Sequence, residues 1–247
     1  MPGLAQVLVV LALAGVGAFV QGATGLGYGL VVAPALFAAL EPRQALYAAL
    51  CSAIVLNVLM LAGGGRPVVR RRRVVTALAW GVPGLVAGAA VVGRISRADL
   101  QVAVGIAVVV AVLLRAWHPG VVAEGPRRSV ARAVAGLSAG VLTTTISSNG
   151  PPLALWLDAE GVRAREMRDT LQVLFGAFNL AGLVALAFHE QPDIHTVALT
   201  ALILPPLVLG LIAGSRVAPR LAPATARWLA LAVICATGAG SVLAGLL

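Results

Sequence analysis

The sequence predicts an all-α polytopic membrane protein made of two inverted repeats, each a broken or re-entrant helical hairpin followed by three transmembrane helices. Three observations carry that reading. The 247 residues are 60% hydrophobic and only 11% charged, with a mean hydropathy of +0.99, whereas soluble domains run about 45–50% apolar and about 25% charged. The apolar runs, at about 20 residues per span, fill the chain with roughly eight to ten membrane segments. The two halves of the chain also align with each other. Together these exclude a separate water-soluble domain and, with it, most enzymes of soluble metabolites.

The N-terminal Met1-Pro2-Gly3 lacks the positive n-region of a cleaved signal peptide and reads as retained. Residues 4–40 form a long apolar stretch interrupted at Gly22-Ala23-Thr24-Gly25-Leu26-Gly27, and helices are expected near 44–62, 74–92 and 100–117. A second interrupted stretch, 131–157, breaks at Thr143-Thr144-Thr145-Ile146-Ser147-Ser148-Asn149-Gly150, with helices expected near 170–188, 195–213 and 227–246. The first repeat thus covers 1–118, a cytoplasmic loop 119–130, and the second repeat 131–247. At an offset of 121, Gly15 meets Gly136, Thr24 meets Thr145 and Gly29 meets Gly150; at 122, Asn57 meets Asn179, Pro83 meets Pro205, Gly88 meets Gly210 and Arg94 meets Arg216. Matches among Ala, Val and Leu carry little weight in this composition. Asn, Pro and Arg in register carry more.

A net charge of +9 and a pI near 11.5 would suggest nucleic-acid binding in a soluble protein. Here all 18 basic residues are arginine and lie almost entirely between apolar runs, which is the topology signal of a membrane protein. No nucleic-acid partner is expected, and lipid is the surrounding medium. Arginine without lysine, beside heavy Ala and Gly usage, fits a GC-rich bacterial genome, and the expected place of the chain is the bacterial inner membrane, as a multi-pass protein.

The loop 63–73, with five arginines, is placed in the cytoplasm, as is 158–169 with three. The loop His189–Asp193 has no arginine and is placed outside, with 41–43. Stretch 131–157 then begins and ends inside. About 13 residues per arm, at ~1.5 Å each, give roughly 20 Å, short of a ~30 Å hydrocarbon core, so a re-entrant hairpin is expected. Stretch 4–40 dips from the outside, and its longer arms leave a full double span open. Halves of opposite orientation are inverted repeats, the plan of many secondary transporters.

Irregular backbone at membrane depth must line a protein-enclosed or watery cavity, which makes the two breaks the best candidates for a substrate site. Glycines allow close backbone approach, and Thr and Ser hydroxyls with the Asn149 amide offer donors. A half-helix starting after each break would turn its free N–H groups and positive end towards an anion. The candidate substrate-binding residues are Thr24, Gly25, Gly27, Tyr28, Asn57, Thr145, Ser147, Ser148, Asn149, Gly150 and Asn179, with Gln21, Ser52 and Gln172 as weaker lining candidates. Tight helix packing by small residues is the plainer alternative for the breaks, as interhelical hydrogen bonding is for Asn57 and Asn179. Glu41, Arg165, Glu166, Arg168 and Asp169 lie near the hairpin bases as candidates for gate ion pairs, against the plainer reading of exposed loop charge.

No Asp, Glu, Arg or His sits at the centre of an expected span, which disfavours a proton relay or cation pathway. No His, Cys or Asp cluster has metal-ligand spacing, and no base accompanies Ser147 or Ser148 as a serine hydrolase requires. No catalytic residue, metal or cofactor is therefore expected. Cys51 and Cys235 lie in apolar runs and read as packing.

The run Gly22-Ala23-Thr24-Gly25-Leu26-Gly27-Tyr28-Gly29, with Val31-Val32-Ala33-Pro34-Ala35-Leu36, resembles the N-terminal glycine-rich motif of the sulfite exporter TauE/SafE family, also called TSUP. Ser147-Ser148-Asn149-Gly150-Pro151-Pro152-Leu153-Ala154-Leu155, then Arg168-Asp169-Thr170 and Asn179, resembles its repeat, although Ser147-Ser148-Asn149 stands where a Gly-Gly-Gly-Pro-like run is frequent. The resemblance covers essentially the whole chain. It implies export or uptake of small sulfur oxyanions and organosulfonates, and the inverted-repeat plan adds the expectation of alternating access of one repeat against the other. Uptake of a carboxylate or inorganic anion is the alternative within transport, and a membrane enzyme or assembly factor the alternative outside it. A homodimer is compatible with the architecture.

Overall fold

A computed structural model describes residues 3–92, 126–188 and 192–220, and these residues form helices and short connections with no strand among them. In chain order the helices are α1 (Leu4–Thr24), α2 (Tyr28–Ala39), α3 (Pro42–Gly63), α4 (Arg71–Val92), α5 (Pro126–Ile146), α6 (Gly150–Ala159), α7 (Ala164–Ala187) and α8 (Ile194–Val217), the last followed by a 3₁₀ turn, Ala218–Arg220. Six of these are long and apolar enough to cross a membrane, whereas α2 and α6 have only 12 and 10 residues. The chain is a polytopic all-α membrane protein. The helices expected near 100–117 and 227–246, together with Cys235, lie outside the described residues.

Both hairpins have unequal arms, which corrects the expectation of two short arms in 131–157. At ~1.5 Å per residue, α1 and α5, with 21 residues each, are about 31 Å long, enough to cross. Residues 126–130, expected within the inter-repeat loop, already belong to α5, which opens on Pro126. At the other end, Thr143, Thr144 and Thr145 do not break the helix. Each hydroxyl donates to a carbonyl one turn back, at Ala139 (2.7 Å), Gly140 (3.3 Å) and Val141 (2.8 Å), which satisfies the side chain inside the helix. The break falls instead at Ser147, in the left-handed region at φ +52°. In the first hairpin the break falls at Gly25 (φ +89°) and Gly27 (φ +123°), where the absent Cβ removes the steric penalty.

The halves exchange arms. Helix α1 runs parallel to α8, with Gly15 on Pro206 and Gly22 on Leu211 and Ser215; α5 runs parallel to α4, with Gly84 on Leu137 and Gly140 on Gly81 and Leu85. A Cβ on Gly210 would lie 2.1 Å from the Gly15 carbonyl oxygen. Such backbone contact is how helices gain dispersion energy where lipid offers no hydrophobic drive. Between these pairs α3 packs on α7, with Asn57 beside Gly176 and Leu50 beside Gly182. These two sequence-matched helices therefore run antiparallel.

Two buried clusters result, one centred on α1, α2, α3 and α8 and the other on α4 to α7, and Leu26 of the first break packs against both. Arginine-bearing ends gather at one face, where the Val68 N–H donates to Asp169 (2.9 Å) and Arg73 to Glu160 (2.9 Å). At the opposite face the Asp193 N–H donates to Gln44 (3.2 Å), and Asp193 caps α8 by accepting from the Thr196 N–H (2.7 Å).

Candidate functional site

The two breaks touch. A Cβ on Gly29 would lie 2.2 Å from the Ser147 carbonyl oxygen, so the first turn of α2 rests directly on the backbone of the second break. Around this contact is a cavity of about 30 Å³, lined from both repeats by residues that include Gln21, Gly27, Tyr28, Asn57, Ser147, Ser148, Asn149 and Asn179. It lies at mid-length of the span-length helices α3 (Ala53, Asn57) and α7 (Phe175, Asn179). Its volume is about one water's share of liquid, far below the ~300 Å³ of an ordinary ligand cleft. In this conformation the site is too small for an organic anion.

A buried amide network sets its walls. The Gln21 side chain donates to Asn57 Oδ1 (3.1 Å) and Gln172 Oε1 (3.2 Å), and accepts from the Tyr28 N–H (3.0 Å). Gln172 donates in turn to the Gly25 carbonyl (2.8 Å). In the second repeat Asn149 donates to Asn179 Oδ1 (3.1 Å) and Thr143 Oγ1 (3.2 Å). Each of the sequence-matched asparagines, 57 and 179, thus accepts an amide hydrogen bond from its own repeat's hairpin. Tyr28 Oη, Asn57 Nδ2 and Ser147 Oγ are buried without a partner, and all three residues line the cavity. Buried polar atoms are nearly always satisfied, so the cavity carries unmet hydrogen-bonding capacity from both halves of the chain.

Of the residues expected at the site, Gly27, Tyr28, Asn57, Ser147, Ser148, Asn149, Gly150 and Asn179 line this cavity, and Thr24, Gly25 and Thr145 do not. Thr24 Oγ1 is engaged locally with the carbonyls of Val20 and Leu26, both at 2.8 Å. Gly25 packs against the Arg168 stem, whose guanidinium donates to the Gly22 carbonyl (3.0 Å). Gln21 proves central rather than peripheral. Leu26, Gly29, Leu30, Ala53 and Phe175 also line the cavity, and only Gly29, matched to Gly150, carried a sequence signal. The half-helix termini offer fewer donors than expected, since Tyr28 N–H is taken by Gln21 and Pro151 and Pro152 have none. Among the described residues no group of three or more His, Cys, Asp or Glu is placed to hold a metal ion.

A second polar centre lies at the arginine-rich face. The Glu160 carboxylate, 3% exposed, accepts from Arg73 (2.9 Å), Arg132 (2.6 Å) and the Trp156 indole N–H (3.1 Å). Glu166 pairs with Arg70 (3.0 Å) and also with Arg73. Burial pushes the Glu160 carboxyl upward, but hydrogen bonds from Arg132, Arg73 and Trp156 and the Arg132 charge outweigh it, so its pKa ends below the ordinary glutamate value. Of the expected gate charges, Glu166 joins this network, Asp169 holds the Val68 N–H and Arg168 the end of α1. The centre itself, Glu160 with Arg73, Arg132 and Trp156, had no signal in sequence, since it joins three separate helix ends.

The chain matches the model of the family described as sulfite exporter TauE/SafE over residues 9–240. It is 27% identical over 236 residues to the probable sulfite/organosulfonate exporter TauE of Cupriavidus necator, covering 94% of this chain and 92% of that protein. No solved structure matches it.

Proposed function

Because the chain belongs to the sulfite exporter TauE/SafE family, we propose that it carries a small sulfur oxyanion or organosulfonate across the bacterial inner membrane, held between the two helix breaks. The observation that carries this reading is the pair of orphaned groups, Asn57 Nδ2 and Ser147 Oγ, facing one cavity from opposite repeats. Both can donate to an oxyanion, and the positive ends of α2 and α6 add to the field there. No basic side chain is needed. The similarity to a probable sulfite/organosulfonate exporter favours sulfur anions over carboxylates.

The packing of the repeats supports alternating access. Gly15 and Gly210 touch, yet their sequence counterparts Gly136 and Gly88 do not: Gly136 packs on Ala77 and Gly81, and Gly88 on Val141 and Thr144. One arm has slid along its partner by more than a helical turn relative to the other. Exchanging the two registers produces the oppositely facing conformation, as expected of inverted repeats, and widens the cavity on the way. Export needs no coupling ion, since a negative-inside potential drives an anion outward by about 2.3 kcal/mol per charge per 100 mV.

Flux from proteoliposomes loaded in parallel with sulfite, a sulfonate and acetate tests this. Sulfite or sulfonate efflux that grows with an inside-negative potential is expected. Efflux of none of them, or of acetate alone, would overturn the reading.

A further inference from the structure

Beyond the central cavity, the arginine-rich face holds a second, larger one of about 550 Å³. Arg70, Arg72, Arg73, Arg132 and Arg163 line it, against two carboxylates, Glu160 and Glu166. Five guanidinium groups facing two carboxylates leave the cavity strongly positive. Arg73 and Arg132 are both occupied by Glu160, and Arg70 by Glu166. Arg72 and Arg163, both exposed, hold no side-chain ion pair or hydrogen bond among the described residues.

The helix ends raise the same imbalance. Helix α4 opens on Arg71-Arg72-Arg73 with no acidic residue in its first turn, α5 brings Arg132 from near its own start, and Arg163 caps the start of α7. The N-terminal end of a helix is its positive end and favours anions. Two such ends, those of α4 and α7, meet here at one recess with Arg132 from the second turn of α5, opposite the C-terminal end of α6 at Glu160. A general preference for arginine on the cytoplasmic side accounts for the sign of this face. It does not account for five guanidinium groups lining one recess.

The geometry points to a second oxyanion site at this face, an antechamber in which Arg72 and Arg163 capture a sulfonate-, sulfite- or phosphate-like group, with Glu160 competing for the neighbouring Arg73 and Arg132. Its place on the pathway rests on the transport reading. Helix α6 links the two sites, with Gly150 on the central cavity and Glu160 just past its other end, about 15 Å away at 1.5 Å per residue. An anion that takes Arg132 and Arg73 from Glu160 frees the base of α6, whose first turn lies at the central cavity.

The test is equilibrium binding of sodium sulfite, by titration calorimetry, to the full chain purified in lipid-free detergent. Wild type is compared with Arg72→Ala/Arg163→Ala and with Glu160→Gln, each checked for a monodisperse, folded state. The double arginine variant should bind at least about tenfold more weakly. Glu160→Gln, which keeps an acceptor for Trp156 but removes the competing charge, should bind several-fold more tightly, a gain that misfolding does not mimic. Should the alanine variant not fold, Arg72→Gln/Arg163→Gln replaces it. Parallel titrations with inorganic phosphate and short-chain phosphatidylglycerol separate a free anion from a lipid headgroup as the occupant; a headgroup preference lost in the arginine variant still supports the site. Wild-type binding of none of the three probes, or affinities unchanged in both variants, would overturn it. Proteoliposome flux keeps the two proposals apart. Lost flux with arginine-dependent binding intact sinks only the transport reading, and normal flux with arginine-independent binding sinks only the antechamber.

Discussion

Gly29 of the first repeat lies against Ser147 of the second so closely that a Cβ would come within 2.2 Å of the serine carbonyl oxygen. The obstacle is main chain in a break held by Ser147 N–H donating to Thr143 and Ser148 N–H to Leu142, so it cannot swing aside as a side chain would. Gly29→Ala must therefore separate the two breaks. Overpacking of this kind costs about 1–3 kcal/mol, and here it acts where the repeats meet. A lowered Tm and at least a tenfold loss of flux are expected. Gly63→Ala, with nothing within 4 Å of its Cβ, should stay within about 0.5 kcal/mol of wild type; equal effects of the two would refute the contact.

Removing an orphaned buried hydroxyl relieves an unsatisfied group, which by itself costs about 1–3 kcal/mol. Ser147→Ala should leave thermal stability unchanged or higher while raising the KM for anion flux about tenfold. Asn57→Asp keeps the oxygen that accepts from Gln21 but puts negative charge where the unpartnered amide now stands, so folding should survive and anion flux should fall further. A substitution that lowers stability and flux together would mean Ser147 is structural.

Much of this was legible because membrane constraints act on local sequence. Spans show as apolar runs, and the arginine-bearing loops do gather on one face. The sequence-matched Asn57 and Asn179 both line the one central cavity. The hairpin arms were misjudged because composition cannot distinguish a Thr-rich helix from a break. Thr143 to Thr145 bond back to their own helix, whereas Ser147, two residues on, turns the chain. Helix α7 likewise starts at Ala164 rather than near 170, because charged residues end an apolar run without ending a helix. Glu160 was invisible as a centre, since Arg73 and Arg132 reach it from helices far apart in the chain.

The positions of the loops give a direct test of orientation. Val68 lies on the face with Asp169, and His195, exposed in the first turn of α8, lies on the other. In a chain with Cys51→Ala and Cys235→Ala, a membrane-impermeant maleimide should label His195→Cys in intact cells and Val68→Cys only after permeabilisation. Labelling of both from one side would contradict the inverted arrangement.

Glu160 ties the base of α6 to α4 and α5, and its ionisation links stability to pH with a definite sign. Its folded pKa lies below the ordinary value, about 4.3 for an unfolded glutamate. The folded state therefore binds its proton less readily than the unfolded chain does. The stabilisation is fully present above about pH 5 and is lost as pH falls through the ordinary glutamate value and then through the folded one. Thermal stability of the wild type should be flat from pH 7 to about 5 in this respect and decline below about 4. In Glu160→Gln the Trp156 contact persists but both arginine pairings lose their charge, so Tm at pH 7 should drop and this part of the acid decline should vanish. Arg73→Ala should be more destabilising than Arg70→Ala, because Arg73 serves both Glu160 and Glu166 while Arg70 is largely exposed and serves one. Removing one partner of a buried pair costs about 3–5 kcal/mol, against about 0–1 kcal/mol for an exposed pair. Melting curves for the wild type and the three variants between pH 4 and 7.5 check this. Equal losses for the two arginine variants, or an acid decline that survives in Glu160→Gln, would assign the clamp to other residues.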